Sequence, residues 1–448
     1  MKRREFIQRS AFAAAALAAQ PAFAIAKKPK VIVIGAGFSG LAAAYELHQK
    51  SYDYVVLESR NRIGGRVFSH MLDERENLVV ELGAEWVGES HTRIRQLCEE
   101  MRLPLDNNQM DTHLIYANRY HRNGEWGYSE QWKTKFDQLK KGYSSLSVAE
   151  KNKLDQMDWW RFLNENGCDG FDLRIHELND TTDFGETIRQ ISALAALSEY
   201  ALSSVKNEMD FKIRGGNSML AKKIAERIAM EKIILNCTVT KIVQDHSGVA
   251  VFCSNGQQFK ADKLICTMPT FAMSRVEWSP LLPEEKRDAM HALQYARINK
   301  NPILFSTRFW KDENFDLLTD MPAHYFYHAT KNQRSQKGAL TSYTVGDKAD
   351  VVGNQSDHER WSLVQLSLQA GFDSLAPLFE KQVNYNWGED IFSKGAYAVY
   401  RPGQWTSLQK VLRKHFMHTH FAGEHLADWQ GFMEGAINTG EEAAHALM

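Results

Sequence analysis

The stretch KVIVIGAGFSGLAAAYELHQKSYDYVVLESRNRIGGR, residues 30–66, decides how the rest of the chain is read. Val31 to Ile34 is a short, continuous apolar run bounded by glycine, the pattern of a fully buried parallel strand. Gly35-Ala36-Gly37-Phe38-Ser39-Gly40 follows at once and opens a helical pattern running to about Gln49. Tyr54 to Leu57 reads as a second buried strand and leads straight into Glu58. The glycines of this βαβ unit have separate tasks. Gly35 permits the tight turn, Gly37 lets backbone approach a pyrophosphate, and Gly40 lets helix and strand pack closely. The phosphates are expected at the helix N-terminus, around Phe38 and Ser39, where free N–H groups and the dipole favour negative charge. Glu58, eighteen residues after Gly40, is placed to accept hydrogen bonds from a ribose 2′-OH, and it repels a 2′-phosphate. Glycine-rich turns are common in proteins that bind no nucleotide. Strand, helix, second strand and terminal acid in register make this one a dinucleotide site.

The continuation narrows the ligand. Arg60, Arg62 and Arg66 surround a second glycine pair, Gly64-Gly65, and guanidinium groups suit pyrophosphate oxygens. A solvated basic loop would not place its glycines between its arginines. The run ESRNRIGGR resembles the extended dinucleotide signature of the flavin amine oxidase family, E-x-R-x-R-x-G-G-R. FAD is therefore the expected ligand rather than NAD.

With 448 residues, 44% of them hydrophobic, the chain can bury a large core and is expected to form two domains, which are free to interleave. A formal net charge of −1 gives no reason to expect nucleic acid or an acidic membrane surface as partner. The five cysteines, Cys98, Cys168, Cys237, Cys253 and Cys266, are odd in number and scattered, so neither a metal cluster nor a disulfide framework is indicated.

Residues 1–26 read as a targeting segment. Lys2-Arg3-Arg4-Glu5-Phe6 resembles the twin-arginine export motif, an alanine-rich apolar run follows from Ala11 to Ala19, and Ala22-Phe23-Ala24 offers a cleavage site. The apolar run is too short to span a bilayer. Cleavage removes four basic residues (Lys2, Arg3, Arg4, Arg9) and Glu5, taking the net charge from −1 to −4. The expected location is the periplasm or the medium, reached through the twin-arginine machinery, with no stable membrane span.

Further motifs carry the family resemblance along the chain. Gly83-Ala84-Glu85-Trp86 resembles the segment that passes beside the flavin ring, where small residues permit close approach, although Trp86 alone would read as core. Arg214-Gly215-Gly216-Asn217 returns to the family pattern and precedes a helix to about Ala229. A strand and antiparallel meander follow, and the resemblance implies that backbone at Val239 holds the adenine. Lys300, ten residues before Trp310, matches the lysine that reaches flavin N5 through water; read without the family it is an exposed strand lysine beside Arg297. Trp387, Gly395-Ala396-Tyr397, Phe421-Ala422-Gly423-Glu424 and Gly431-Phe432-Met433-Glu434-Gly435-Ala436 match the C-terminal family elements. The last of these opens the final helix, whose N-terminus would stabilise the anionic reduced flavin.

The resemblance places Tyr397 and Phe432 as two aromatic walls that sandwich the amine. The second wall is usually tyrosine, so a hydroxyl is missing here. Ala396 stands where covalently flavinylated members carry cysteine, which implies non-covalent FAD. The histidines His415, His418, His420 and His425 lack carboxylates at ligand spacing and read as ordinary side chains, so no metal is assigned.

The protein thus resembles a bacterial, exported flavin monoamine oxidase. The likeness implies a mixed α/β fold: a Rossmann-type FAD domain in three pieces (29–106, 206–285, 386–448), with a substrate domain built from 107–205 and 286–385. Helical runs are expected at 147–164 and 183–206. The implied reaction takes hydride from the carbon bearing a neutral amine, yields an imine that hydrolyses to aldehyde, and reduces O2 to H2O2. An L-amino-acid oxidase is a rival, with Arg161 or Arg297 as carboxylate partner. A polyamine oxidase is another, should Glu85 meet a distal ammonium. An FAD-binding protein or isomerase without oxidase chemistry, and a dehydrogenase using another electron carrier, stand behind these.

Overall fold

Val31–Ile34 forms the middle of a five-stranded sheet, as its unbroken apolar run requires, and all four residues are buried. The strand order is Thr419–Phe421, Lys263–Cys266, Val31–Ile34, Tyr54–Leu57, Ile233–Ile234, and every pair is parallel. Three distant parts of the chain therefore meet in one nucleotide-binding sheet. This computed structural model describes residues 28–428 and 430–448; the targeting and cleavage-site expectations fall on residues 1–26, outside the described residues. Among the described residues no helix is long and apolar enough to cross a membrane.

The helix after the glycine loop spans Phe38–Gln49 and is buried along almost its whole length, from Phe38 to Leu47. The last helix, Met433–His445, lies directly against it. A Cβ on Gly440 would fall 2.1 Å from the carbonyl oxygen of Ser39, so only glycine allows this approach. That contact brings the C-terminal signature to the first glycine loop.

An antiparallel meander of Val239–Asp245, Gly248–Cys253 and Gln258–Ala261 forms as the sequence suggests, and Glu277–Ser279 joins it in parallel. The second large sheet has eight strands. Ile298–Phe305 and Gly338–Val345 lie at its centre, buried from end to end, and Phe315–Thr319 pairs in parallel with Asp111–Tyr116. This sheet carries the floor of the cavity described below.

The helical layer departs from expectation in two places. The run at 147–164 is two helices, Val148–Asp155 and Trp159–Glu165, because Asp158 caps the second by accepting the Arg161 N–H at 2.9 Å. The run at 183–206 is not continuous either. Asp183 lies at the end of Gly170–Phe184, which stops at Gly185 in the left-handed region (φ 71°), and a new helix, Ala193–Leu202, starts after Ser192 accepts the Ala195 N–H.

Candidate active site

The glycine loop is fixed by contacts that leave one side open. Gly35 adopts φ 103°, its N–H donates to the Leu57 carbonyl at 2.7 Å, and a Cβ there would sit 2.5 Å from Thr267 Oγ1. Gly40 is closed more tightly, with the Gly35 carbonyl oxygen 1.8 Å from where its Cβ would stand. Gly37 differs. Its nearest neighbour in that direction is Gly65 Cα at 3.9 Å, so the missing side chain leaves room for a ligand.

Glu58 closes the end of this cradle. It is buried, and its two carboxylate oxygens accept the Ala36 N–H at 2.7 Å and the Arg60 N–H at 2.8 Å. Burial pushes its carboxyl up, against those two bonds and the neighbouring Arg60 and Arg62. Each oxygen keeps lone-pair capacity for a ribose hydroxyl. Ser39 Oγ, on the same loop and facing the same cavity, is buried without a hydrogen-bond partner. An orphaned hydroxyl at a helix N-terminus beside an open glycine and a ribose-reading acid fits the pyrophosphate and ribose of FAD.

The signature arginines act differently from the sequence expectation of guanidinium groups turned to phosphate. Arg60 grips Asp390 through both terminal nitrogens at 2.7 Å and lies over the Phe392 ring. Burial raises the Asp390 carboxyl, but the Arg60 fork outweighs it and holds the group below its usual range. Arg66 donates to Glu424 at 2.6 Å and to the Ala396 carbonyl at 2.8 Å, and the other Glu424 oxygen accepts the Gly431 and Ala398 N–H groups at 3.0 and 3.3 Å. These two pairs tie the first signature to the C-terminal ones.

Lys300 is buried, not an exposed strand lysine. Strand pairing sets it between Tyr343 and Tyr385, and its ammonium donates to the Gly83 carbonyl at 2.8 Å and to Glu85 at 3.1 Å. The rings of Trp86, Tyr327 and Tyr343 stand 5.4 to 5.6 Å from Nζ. Burial lowers the Lys300 pKa, and the Glu85 carboxylate opposes that. Glu85 in turn accepts from Lys212 at 2.8 Å and from the Tyr327 hydroxyl. Burial would raise the Glu85 carboxyl, yet Lys212 and Lys300 together hold it below its usual value. Lys212 is a residue the sequence reading passed over; in the short run Phe211-Lys212-Ile213 nothing marks it as buried. Trp387 Nε1 donates to the Leu82 carbonyl at 2.7 Å and steadies the segment leading to Gly83.

One continuous cavity joins the cradle to an aromatic chamber. Every sequence-predicted cofactor and substrate residue lines it except Gly40, which packs on Gly35, Arg62, whose guanidinium lies over the Phe68 ring at 4.1 Å, and Val239, which is buried at the start of the meander. Tyr397 and Phe432 both face it. The Tyr397 hydroxyl lies 3.3 Å from that of Tyr343 and donates to the Asp183 carbonyl at 3.1 Å, while Phe432 meets the His91 ring at 5.1 Å. The carboxyls of Asp183, Glu199 and Asp316, none of them singled out from sequence, line the chamber as well. Burial, reinforced by Asp180, pushes Asp183 up to about 7, and burial pushes Asp316 up to about 7.

Neither arginine considered as a carboxylate partner reaches this chamber. Arg161 is exposed and pairs with Glu165 at 2.7 Å; Arg297 is taken by Glu186, Asp347 and Asp350 at 2.6 to 2.9 Å. Glu85, considered for a distal ammonium, is already occupied by two lysines.

A parallel nucleotide-binding sheet, an FAD-shaped cradle and a buried lysine beneath aromatic walls define a flavin-dependent oxidoreductase. The family model for flavin-containing amine oxidoreductases matches residues 38–448, and the chain belongs to that family. It is similar to an L-amino acid dehydrogenase from Synechocystis, 25% identical across 93% of this chain and 94% of the relative. It is also similar to flavin-containing amine oxidase B of Homo sapiens, 24% identical across 95% of this chain and 87% of the relative. Among solved structures, putrescine oxidase bound to putrescine superimposes with a TM-score of 0.84 at 21% identity, covering 94% of this chain and 98% of that one. The last likeness concerns the fold. FAD is the cofactor and amines are the substrate class of the family.

Proposed function

We propose that the protein oxidises a primary or secondary amine to the imine, which hydrolyses to an aldehyde, with O2 reduced to H2O2. FAD, when bound, supplies the acceptor for the hydride and the electrons for oxygen. The protein's own residues do the rest. Tyr397 and Phe432 flank the amine and orient its carbon, the buried sheet strands keep water out, and the Met433–His445 helix presents its N-terminus to the cofactor. Lys300 supports the oxygen half-reaction by offering a buried cation where negative charge develops on oxygen. The observation that carries this reading is Lys300 itself, held between Gly83 and Glu85 at the junction of cradle and chamber. Ala396, in the position where covalent members carry cysteine, supports non-covalent FAD. The segment 1–26 supports twin-arginine export to the periplasm or medium, and the resemblance supports an FAD domain in three pieces with the substrate domain between them.

The L-amino-acid oxidase reading loses support because Arg161 and Arg297 are engaged elsewhere. A coupled peroxide assay over monoamines, diamines and L-amino acids tests the proposal. Peroxide with amines and none with amino acids is expected. Turnover restricted to amino acids, or amine turnover only with an artificial electron carrier, would overturn it.

A further inference from the structure

The chamber beyond the aromatic walls gathers more carboxyl groups than a single reacting amine can use. Asp183 comes from the end of helix Gly170–Phe184, Glu199 from helix Ala193–Leu202, and Asp316 from strand Phe315–Thr319. Two successive helices and a strand far along the chain thus bring three carboxyls to one cavity. The cations lining that cavity, among the described residues, are Arg60, Arg66 and Lys300, and each is already paired, with Asp390, Glu424 and Glu85 respectively. None of these three is left for the chamber acids, and Lys331, which lies outside the cavity lining and bonds to Asn107 and the Gln109 carbonyl, acts on Asp316 only through space.

Two of these acids are half satisfied. Asp316 is 1% exposed; its Oδ2 accepts from Tyr325 at 2.8 Å and from Thr112 at 3.3 Å, while Oδ1 has no partner. Asp183 receives Tyr200 at 2.8 Å, Asn207 at 3.0 Å and Asn179 at 3.2 Å, all on Oδ2. An ionised carboxylate enclosed without counter-charge is strongly disfavoured, and a bound cation relieves it. The amine being oxidised cannot be that cation. Its nitrogen must keep a free lone pair for hydride to leave the adjacent carbon, so it reacts in its neutral form. A second, non-reacting ammonium fits the requirement.

We propose that the preferred substrate is an aliphatic diamine or polyamine, whose neutral end reacts between Tyr397 and Phe432 while its distal ammonium is held by Asp316 and Asp183. This rests on the amine-oxidising reading above. The Tyr397 hydroxyl donates to the backbone of Asp183 itself, and Tyr343 and Tyr325, 6.2 Å apart between ring centres, continue from Tyr397 to Asp316. Aromatic faces along that route suit a methylene chain and a cation at its end. The raised carboxyls of Asp183 and Asp316 are consistent with a site awaiting positive charge.

The test is anaerobic stopped-flow reduction of the FAD-loaded enzyme by length-matched pairs, 1,4-diaminobutane against n-butylamine and 1,5-diaminopentane against n-pentylamine. The ratio of reduction rate to dissociation constant should favour the diamine by about 30-fold or more, the scale of a desolvated charge pair. In Asp316→Asn and Asp183→Asn that preference should fall to within about threefold, and Asp316→Glu should restore part of it; circular dichroism and flavin content check that each variant folds. Monoamines matching or exceeding diamines in the unaltered enzyme would overturn the proposal whether or not any variant folds. So would a preference that survives in both folded Asn variants. If no amine of either kind reduces the flavin, the amine-oxidising reading itself fails.

Discussion

Lys300 and Lys212 share one buried counter-ion: Glu85 meets Lys212 at 2.8 Å through one oxygen and Lys300 at 3.1 Å through the other. The carboxylate keeps two ammonium groups charged in an apolar setting, and one of them faces the cavity. Glu85→Gln removes that charge and leaves both lysines uncompensated. A loss of about 3–5 kcal/mol in unfolding free energy is expected, read from denaturant midpoints. Lys212→Met should also destabilise, and should shift the pH profile of flavin reoxidation because Glu85 then rises toward neutrality.

Lys300→Met separates the two half-reactions. Reduction of the flavin by amine should persist, while the rate constant for reoxidation by O2 falls about 10- to 100-fold, since a charge positioned at a developing oxyanion is worth that order. Stopped-flow mixing of reduced enzyme with oxygenated buffer measures it directly.

Two substitutions probe the cofactor cradle. Glu58→Ala strips ribose contacts and leaves the Ala36 N–H without its acceptor, so the FAD dissociation constant should rise about 10- to 100-fold. Gly440→Ala places a methyl 2.1 Å from the Ser39 carbonyl and pushes the last helix off the first. Purified Gly440→Ala should be colourless or insoluble. Acid precipitation of the unaltered enzyme should release all its flavin to the supernatant, consistent with Ala396.

Asp316 gives a pH signature. Burial pushes its carboxyl up to about 7 from the ordinary 3.8, against the hydrogen bonds from Tyr325 and Thr112 and the charge of Lys331, with Asp111 adding to the rise. A carboxyl raised on folding stabilises fully below its unfolded pKa, and that contribution is lost as pH rises through 7. Relative to the unaltered enzyme without amine, Asp316→Asn should therefore be more stable at pH 8, by about 1–3 kcal/mol. The advantage should shrink steadily toward pH 5. Thermal midpoints across that range show it.

The cofactor half was legible in the sequence because its chemistry is local. Gly35, Gly37 and Glu58 act within one βαβ unit, and short motifs reveal them. The chamber was not. Asp316 reaches Thr112 only because Phe315–Thr319 pairs with Asp111–Tyr116, some two hundred residues away, and no local pattern announces that register. The centre of the large sheet also hides its nature: Asn299, Lys300, Asn301 and Pro302 interrupt any alternation, although the strand is buried throughout. Asp183 reads from sequence as the first residue of a helix running to 206, whereas it closes the helix Gly170–Phe184, which Gly185 stops. Arg60 and Arg66 were found by motif, but their partners Asp390 and Glu424 come from the other end of the chain.

The most direct test of the central claim is to add 1,4-diaminobutane to the yellow enzyme without oxygen, record the flavin absorbance, then admit air and assay peroxide. Bleaching on addition, followed by recovery of colour with about one H2O2 per flavin reoxidised, is the predicted result. Flavin that no amine bleaches, or that stays reduced in air, would contradict it.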